Sequence, residues 1–158
     1  MFASLDHLLG GFAGARVLDL FAGSGALGLE AASRGATAVV LVERDRPSAA
    51  VVRANADVVG VPGIRVVAAS VAAHLAGEPE PFDLVLADPP YDTPAADVEV
   101  VLGRLTQGWL APDAVVMVER RTRGGEFHWP SGLVALRHRA YGATTLWYGQ
   151  WASDGEDP

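Results

Sequence analysis

The residues Asp88-Pro89-Pro90-Tyr91 are the stretch of this chain best suited to chemistry. They directly follow an apolar run, 82–87, that is typical of a buried strand. Because consecutive prolines fix φ and donate no N–H, the Asp88 carboxylate and the Pro89 carbonyl can both accept hydrogen bonds in a cleft, and Tyr91 can stack on a ring. This combination predicts a binding site for a planar ring that bears an NH₂ group.

A glycine-rich stretch, 16–28, is the second candidate site, and its pattern predicts a strand, a tight turn and a helix. Gly23, Gly25 and Gly28 follow the spacing G-x-G-x-x-G, which lets a ligand approach the backbone and the amide groups of a helix start. Glu43 lies 20 residues after Gly23, where a dinucleotide-binding fold places the acid that accepts ribose hydroxyls. The pattern predicts an adenosine-type ligand and leaves NAD and S-adenosylmethionine open.

The rest of the chain predicts an α/β fold that brings these two sites together. The apolar periodicity predicts a helix within 1–12 that Gly10-Gly11 ends, helices over 26–34, 46–59 and 95–107, and a short helix that Ser70 caps. It predicts strands in the first half of 16–28 and over 38–42, 64–68, 82–87, 114–118, 133–141 and 144–151. Alternating strands and helices require a parallel sheet with helices on both faces. The last two runs are separated only by Gly142-Ala143, so they should pair as an antiparallel hairpin.

Such a plan favours a Rossmann-like, seven-stranded, mostly parallel sheet over the six-stranded dehydrogenase plan. In open sheets of this type, ligands bind outside the carboxyl ends of the strands, near the switch in strand order. We therefore expect the turn at Asp88 to face the turn at Gly23.

Composition narrows the class of protein. The chain has 158 residues, no cysteine and a net charge of −7, and its four histidines lack ligand-like spacing, so we expect neither disulfides nor a metal site. No run is long enough to cross a membrane and no leader opens the sequence, so we expect a cytoplasmic protein, with one domain over 1–152 and an acidic, disordered tail over 153–158.

The positive charge is concentrated late in the chain. Residues 119–151 carry five arginines against two acids, although the chain as a whole is acidic. Arg120, Arg121 and Arg123 are interpreted either as a solvated surface run or as phosphate contacts beside the cleft, with Arg137 and Arg139 completing the concentration.

The motifs together resemble a known family. The run 17–28 with Glu43 and Asp88-Pro89-Pro90-Tyr91 resembles class I S-adenosylmethionine-dependent methyltransferases that modify exocyclic amino groups. With the late motif Tyr141-Gly142-x-Thr144-x-Leu146, the chain resembles the RsmD family, which methylates guanine N2 in 16S ribosomal RNA of the small ribosomal subunit.

The resemblance implies S-adenosylmethionine as cofactor, ribosomal RNA as partner, and two sets of site residues. The implied catalytic residues are Asp88, Pro89 and Tyr91. The implied cofactor-binding residues are Asp19, Phe21, Ala22, Gly23, Ser24, Gly25, Gly28, Glu43, Arg44, Ser70 and Asp88. Asp19 is expected to bond amides of the glycine loop, and Ser70 stands where the family has an acid that helps to hold adenine.

The family also carries a basic N-terminal arm before the point that matches Phe2, and the printed sequence does not include it. This difference predicts that the 158-residue chain binds cofactor but methylates RNA feebly. Three alternatives remain: an adenine-N6 or glutamine-amide methyltransferase, a nicotinamide dehydrogenase, and a methyltransferase core that binds without turnover when its arm is missing.

Overall fold

The computed structural model describes residues 1–124 and 126–152, and the predicted tail over 153–158 lies outside them. Its helices are α1 Phe2–Leu9, α2 Ala26–Ser33, α3 Arg46–Val59, α4 Val71–Leu75 and α5 Ala95–Leu105. Its strands are β1 Arg16–Leu20, β2 Ala38–Val42, β3 Ile64–Val67, β4 Phe82–Ala87, β5 Leu110–Arg121, β6 Leu133–Tyr141 and β7 Thr144–Trp151. Every predicted element is present.

The strands form one sheet in the order β3-β2-β1-β4-β5-β7-β6. All pairs from β3 to β5 are parallel, whereas β7 pairs antiparallel with both β5 and β6. The predicted seven-stranded, mostly parallel sheet with a C-terminal antiparallel hairpin is therefore confirmed. Because β1 has β2 on one side and β4 on the other, the strand order reverses between β1 and β4, at the point where ligands bind in such folds.

Helices cover both faces of the central strands, and each face has its own apolar core. Leu18 and Leu20 of β1 pack with side chains of α4 and α5, such as Val71 and Leu102. Val17 points the other way and packs with side chains of α1, α2 and α3. Burial on both faces explains why the central strands are continuous apolar runs.

Local signals set the helix ends. At α3, Asp45 accepts a hydrogen bond from the Ser48 amide at 3.0 Å, Pro47 occupies the first turn, and Gly60 ends the helix in the left-handed conformation. The helix predicted within 1–12 covers Phe2–Leu9, and Gly10, with a φ of 70°, ends it as the sequence predicted. None of the helices in the described part of the chain combines the length and apolar character that a bilayer span needs.

The prediction for β5 was too short, with consequences for the site. The apolar pattern predicted 114–118, but the strand runs over Leu110–Arg121. At its start Leu110 pairs with Phe82 of β4, and at its end residues 119–121 pair with Leu146, Thr145 and Thr144 of β7. Hydrogen bonds to β7, which is distant in sequence but adjacent in the sheet, thus extend β5 through a polar stretch. Because side chains alternate along a strand, Glu119 and Arg120 lie on opposite faces of the sheet.

Candidate active site

A cleft of about 890 Å³ lies at the carboxyl ends of the parallel strands, and residues of both predicted motifs line it. Its volume is in the range of small-molecule sites. Valine side chains of β2, α4 and α5 form its apolar wall. The predicted site residues that line the cleft are Phe21, Gly23, Glu43, Arg44, Ser70, Asp88, Pro89 and Tyr91.

The remaining predicted residues, Asp19, Ala22, Ser24, Gly25 and Gly28, build the turn behind the cleft. The Ala22 amide donates to the Val42 carbonyl at 2.9 Å, which ties the turn to β2. A Cβ at Gly28 would lie 2.8 Å from Cδ2 of Leu41 and 3.0 Å from Oδ2 of Asp19, so this glycine is required for packing. Gly23 differs, since it has a φ of 59° and open space around it, as a backbone approached by a ligand requires.

Asp19 supports the glycine turn from within the core. Its side chain is 1% exposed, and Oδ2 accepts a hydrogen bond from the Gly28 amide at 2.9 Å. The pKa of Asp19 is raised to about 7: burial is the main cause, the Gly28 hydrogen bond opposes it, and the nearby charges of Asp88 and Glu43 add to the rise. The amide belongs to the first turn of α2, directly after the glycine loop whose amides were the expected partners.

Glu43 offers an acceptor that no described protein group uses. Its backbone amide donates to the Val67 carbonyl at 3.0 Å, which holds the residue at the end of β2. Its Oε2 is buried and has no hydrogen-bond partner among the described residues. Buried carboxylate oxygens in proteins almost always have a donor, so this one is suited to a donor that arrives with a ligand.

Ser70 combines a structural contact with a place in the cleft. Its Oγ accepts a hydrogen bond from the Ala73 amide at 3.1 Å and so caps α4, as the sequence predicted. The hydroxyl also lines the cleft and retains a proton that it can donate.

Asp88 lies partly buried at the end of β4, and its neighbour Glu119 was not recognised from the sequence. The parallel register of β4 and β5 ends with Ala87 opposite Val118, so Asp88 and Glu119 follow on adjacent strands. The two carboxyl groups are close enough for their charges to interact. Burial raises the pKa of both groups, and the charge of Asp88 raises the pKa of Glu119 further.

The expectation that Arg120 is a surface residue or a phosphate contact was wrong. Its side chain is only 4% exposed, because the longer β5 turns it toward the face that α5 covers. Nη2 donates to the Thr93 carbonyl at 2.8 Å, so the guanidinium ties β5 to the loop that follows Asp88. Arg120 therefore fixes the proline turn, whereas Arg121 and Arg123 are exposed.

Tyr91 and the hairpin form an exposed surface of aromatic rings and arginines. Tyr91 is 54% exposed, and the Arg121 guanidinium lies 4.8 Å from its ring centre. On β6, Arg139 lies 6.0 Å from the ring of Tyr141, and Arg137 lies 5.6 Å from that of Tyr148 on β7. We call Arg121, Arg137 and Arg139 with Tyr91 and Tyr141 the arginine–tyrosine surface.

The described residues contain no group of three or more His, Asp or Glu side chains placed to hold a metal ion. What the cleft does present is hydrogen-bond acceptors: the free oxygen of Glu43, the carboxylate of Asp88 and the Pro89 carbonyl. Such a site suits a ligand that brings hydroxyl and amino donors and positive charge.

Comparison with known proteins identifies the family. The family described as conserved hypothetical protein 95 matches residues 1–150. The ribosomal RNA small subunit methyltransferase D of Escherichia coli K12 is 33% identical over 142 residues, which cover 90% of this chain and 71% of that protein.

Solved structures agree in fold. The Escherichia coli protein yhhF superimposes with a TM-score of 0.87 at 30% identity, covering 96% of this chain and 86% of that one. A conserved hypothetical protein of Streptococcus pyogenes gives a TM-score of 0.83 at 26% identity, covering 99% and 98%. The chain therefore belongs to the conserved hypothetical protein 95 family, that is, the RsmD family of S-adenosylmethionine-dependent methyltransferases.

Proposed function

We propose that this chain transfers a methyl group from S-adenosylmethionine to the exocyclic N2 of a guanine in 16S ribosomal RNA. The observation that carries the proposal is that Glu43 and the Asp88-Pro89-Pro90-Tyr91 turn line one cleft at the switch in strand order. The Escherichia coli relative is a ribosomal RNA small subunit methyltransferase, which supports RNA of the small subunit as the substrate. Residues 1–152 would act as one methyltransferase domain.

The cofactor would occupy the side of the cleft formed by β1, β2 and α4. Glu43 would accept the ribose hydroxyls through its unpartnered Oε2, Gly23 would allow close approach of the ligand, and Ser70 would donate to the adenine. Phe21 and Arg44 line the same side. The carboxylates of Glu43 and Asp88 both line the cleft, which favours a cationic sulfonium ligand over a phosphate-bearing one such as NAD.

The base would occupy the other side, at the proline turn. The Asp88 carboxylate and the Pro89 carbonyl would accept the two protons of the guanine amino group, and Tyr91 would stack on the ring by the side that Arg121 leaves free. Bound S-adenosylmethionine supplies a methyl group that is already electrophilic. The residues therefore act mainly by positioning, and hydrogen bonds to Asp88 strengthen as positive charge develops on the amino nitrogen. Such chemistry needs no metal ion.

RNA would reach the cleft along the arginine–tyrosine surface. A guanine stacked in a helix cannot enter a cleft, so the target must come from a loop or be turned out of its stack. Arg121, Arg137 and Arg139 are exposed, the strand register places them on one face of the sheet, and Arg121 contacts Tyr91, so they can contact phosphates on either side of the turned-out base. We propose that the substrate is the small ribosomal subunit or one of its assembly intermediates.

The test is methyl transfer to small ribosomal subunits that lack the modification, followed by mass spectrometry of the nucleosides. We expect N2-methylguanosine, no loss of activity in EDTA, and calorimetric binding of S-adenosylhomocysteine but not of NAD. Methyl groups on adenine N6 or on protein glutamine would assign the alternative substrates, and NAD binding without a response to S-adenosylhomocysteine would refute the proposal. A chain that binds S-adenosylhomocysteine without turnover on any substrate would correspond to the binding-only alternative.

A further inference from the structure

The loop that follows β4, residues 88–94, has few hydrogen bonds to fix its shape. Within it the Thr93 amide donates to the Pro90 carbonyl at 2.9 Å, and at its end the Pro94 carbonyl accepts from amides in the first turn of α5. In residues 1–124 and 126–152, Arg120 is the only side chain from outside the loop that donates a hydrogen bond to it, at 2.8 Å to the Thr93 carbonyl. One guanidinium group therefore joins this loop to the neighbouring strand.

Stability alone does not explain an arginine at position 120. The residue is 4% exposed, no acidic side chain in the described part of the chain forms an ion pair with it, and its Nε is buried there without a hydrogen-bond partner. Burying a cation costs free energy that a single carbonyl acceptor offsets only in part. Apolar side chains of similar size are often neutral or more favourable at buried charged positions. The contact with the Thr93 carbonyl is what an apolar side chain could not provide.

The end of β5 contacts the loop from both faces of the sheet. Arg120 lies opposite Thr145 of β7 and reaches Thr93 on one face. The next residue, Arg121, lies on the other face, and its guanidinium is 4.8 Å from the ring centre of Tyr91. Pairing with β7 holds both arginines, so the position of the loop is tied to the hairpin that carries the arginine–tyrosine surface.

We propose that Arg120 is a positioning residue for methyl transfer: its hydrogen bond to the Thr93 carbonyl holds the loop so that the Asp88 carboxylate and the Pro89 carbonyl point at the amino group of the base. This inference rests on the proposed function of the cleft. Arg120 does not itself line the cleft, so it acts through the loop and not on the substrate. Since the residues of this site act mainly by positioning, a small displacement of the loop should slow transfer.

Two substitutions separate this role from a purely structural one. Arg120→Met keeps a long apolar side chain and removes the hydrogen-bond donor. Arg120→Lys keeps a charged donor on a flexible stem. The matched control is Arg104→Met, which removes an exposed arginine of α5. Each variant is compared with the wild type by single-turnover methyl transfer at saturating small subunits, by its affinities for the subunit and for S-adenosylhomocysteine, and by urea unfolding.

We expect Arg120→Met to slow single-turnover transfer by roughly tenfold to a hundredfold, the range of effects caused by misplaced reacting groups. Both affinities should stay within severalfold of the wild type, because the buried guanidinium contacts neither ligand. The urea midpoint should not fall, because an apolar side chain replaces a buried cation. Arg120→Lys should recover part of the rate, and Arg104→Met should match the wild type.

Three results would each overturn the proposal. The first is a wild-type rate in Arg120→Met, and the second is an equally slow rate in the Met and Lys variants. The third is a slow Arg120→Met that also unfolds at a lower urea concentration, since the arginine would then serve the stability of the fold.

A second measurement does not depend on methyl transfer. Amide hydrogen exchange, followed by NMR, reports how firmly the loop is held. The Thr93 amide should exchange severalfold faster in Arg120→Met than in the wild type, whereas exchange of the Ala22 amide, which donates to the Val42 carbonyl in the glycine turn, should be unchanged. Equal exchange of the Thr93 amide in the two proteins would refute the contact. If this amide exchanges faster but the wild type methylates no RNA, the contact with the loop stands and the proposed function is what fails.

Discussion

The two turns that line the cleft reach the same edge of the sheet in different ways. The glycine turn after β1 is held by a residue of the same strand, because the buried Asp19 accepts a hydrogen bond from the Gly28 amide. The proline turn after β4 is held by a residue of the neighbouring strand β5, because Arg120 donates a hydrogen bond to the Thr93 carbonyl. Each turn is associated with one aspartate, but Asp19 is buried in the core and Asp88 lines the cleft.

This difference shows that exposure, and not residue type, separates a carboxylate that maintains the backbone from one that can act on a ligand. A change at Asp19 should alter stability and its dependence on pH. A change at Asp88 should alter turnover. Four substitutions test this division, from the largest expected effect to the smallest.

Asp88→Ala should lower methyl transfer by about a hundredfold to a thousandfold, the range for loss of a contact that acts in the transition state. Binding of S-adenosylhomocysteine should stay within severalfold of the wild type. The measurement is single-turnover transfer to unmodified small subunits, together with calorimetry. Asp57→Ala, an exposed acid on α3, is the control. Near-normal turnover in Asp88→Ala would remove the distinction between the two aspartates.

Asp19→Asn should change how stability depends on pH. The pKa of Asp19 is raised in the folded state, to about 7 from 3.8, so between these values the folded protein holds a proton that the unfolded chain has lost. The contribution of Asp19 to the free energy of unfolding is fully present below the pKa that this group has in the unfolded chain. It falls by about 1.4 kcal/mol per pH unit as the pH rises toward 7.

The measurement for this prediction is urea unfolding without cofactor between pH 5 and 6.5. The wild type should lose about 2 kcal/mol over this interval. Asp19→Asn should have a shallower slope, while its carbonyl oxygen can still accept from Gly28. Some slope should remain, because the pKa values of Asp88 and Glu119 are raised as well. Parallel slopes in the two proteins would contradict the prediction.

Gly28→Ala and Gly23→Ala should show which glycine of the turn is needed for the stability of the fold and which for binding of the cofactor. The added methyl group meets Leu41 and Asp19 at Gly28, so this variant should lose about 1–3 kcal/mol of stability. The methyl group at Gly23 meets no atom within 4 Å, so that variant should pay mainly the cost of its positive φ, about 1 kcal/mol. It should nevertheless bind S-adenosylhomocysteine more weakly, since the methyl group projects into free space beside the cleft. A more stable Gly28→Ala than Gly23→Ala, by denaturant unfolding, would reverse the assignment.

The sequence predicted the fold well because its signals are local. Apolar runs of 4–6 residues mark β1 to β4, and glycines such as Gly10 and Gly60 end helices. The meeting of Asp88 with the glycine turn followed from a general property of parallel sheets, whose strands all end at the same edge.

The part of the site that the sequence did not predict depends on distant contacts. Glu119-Arg120-Arg121 has the composition of a surface loop, and only pairing with β7, more than twenty residues later, makes it a strand. That pairing buries Arg120 and places Glu119 beside Asp88. One signal was available: Glu119 follows a predicted strand just as Asp88 follows β4, so the same expectation applied to both acids.

The outer edge of β6 has a consequence for how the protein behaves at high concentration. β6 is the last strand of the sheet, and Val134 and Leu136 on it are exposed, so its free backbone groups could pair with another chain. Its pairing with β7 is irregular between Ala135 and Arg137, and positively charged Arg137 and Arg139 follow. An interrupted strand with like charges repels a second copy of itself, so these arginines protect the protein from edge-to-edge aggregation.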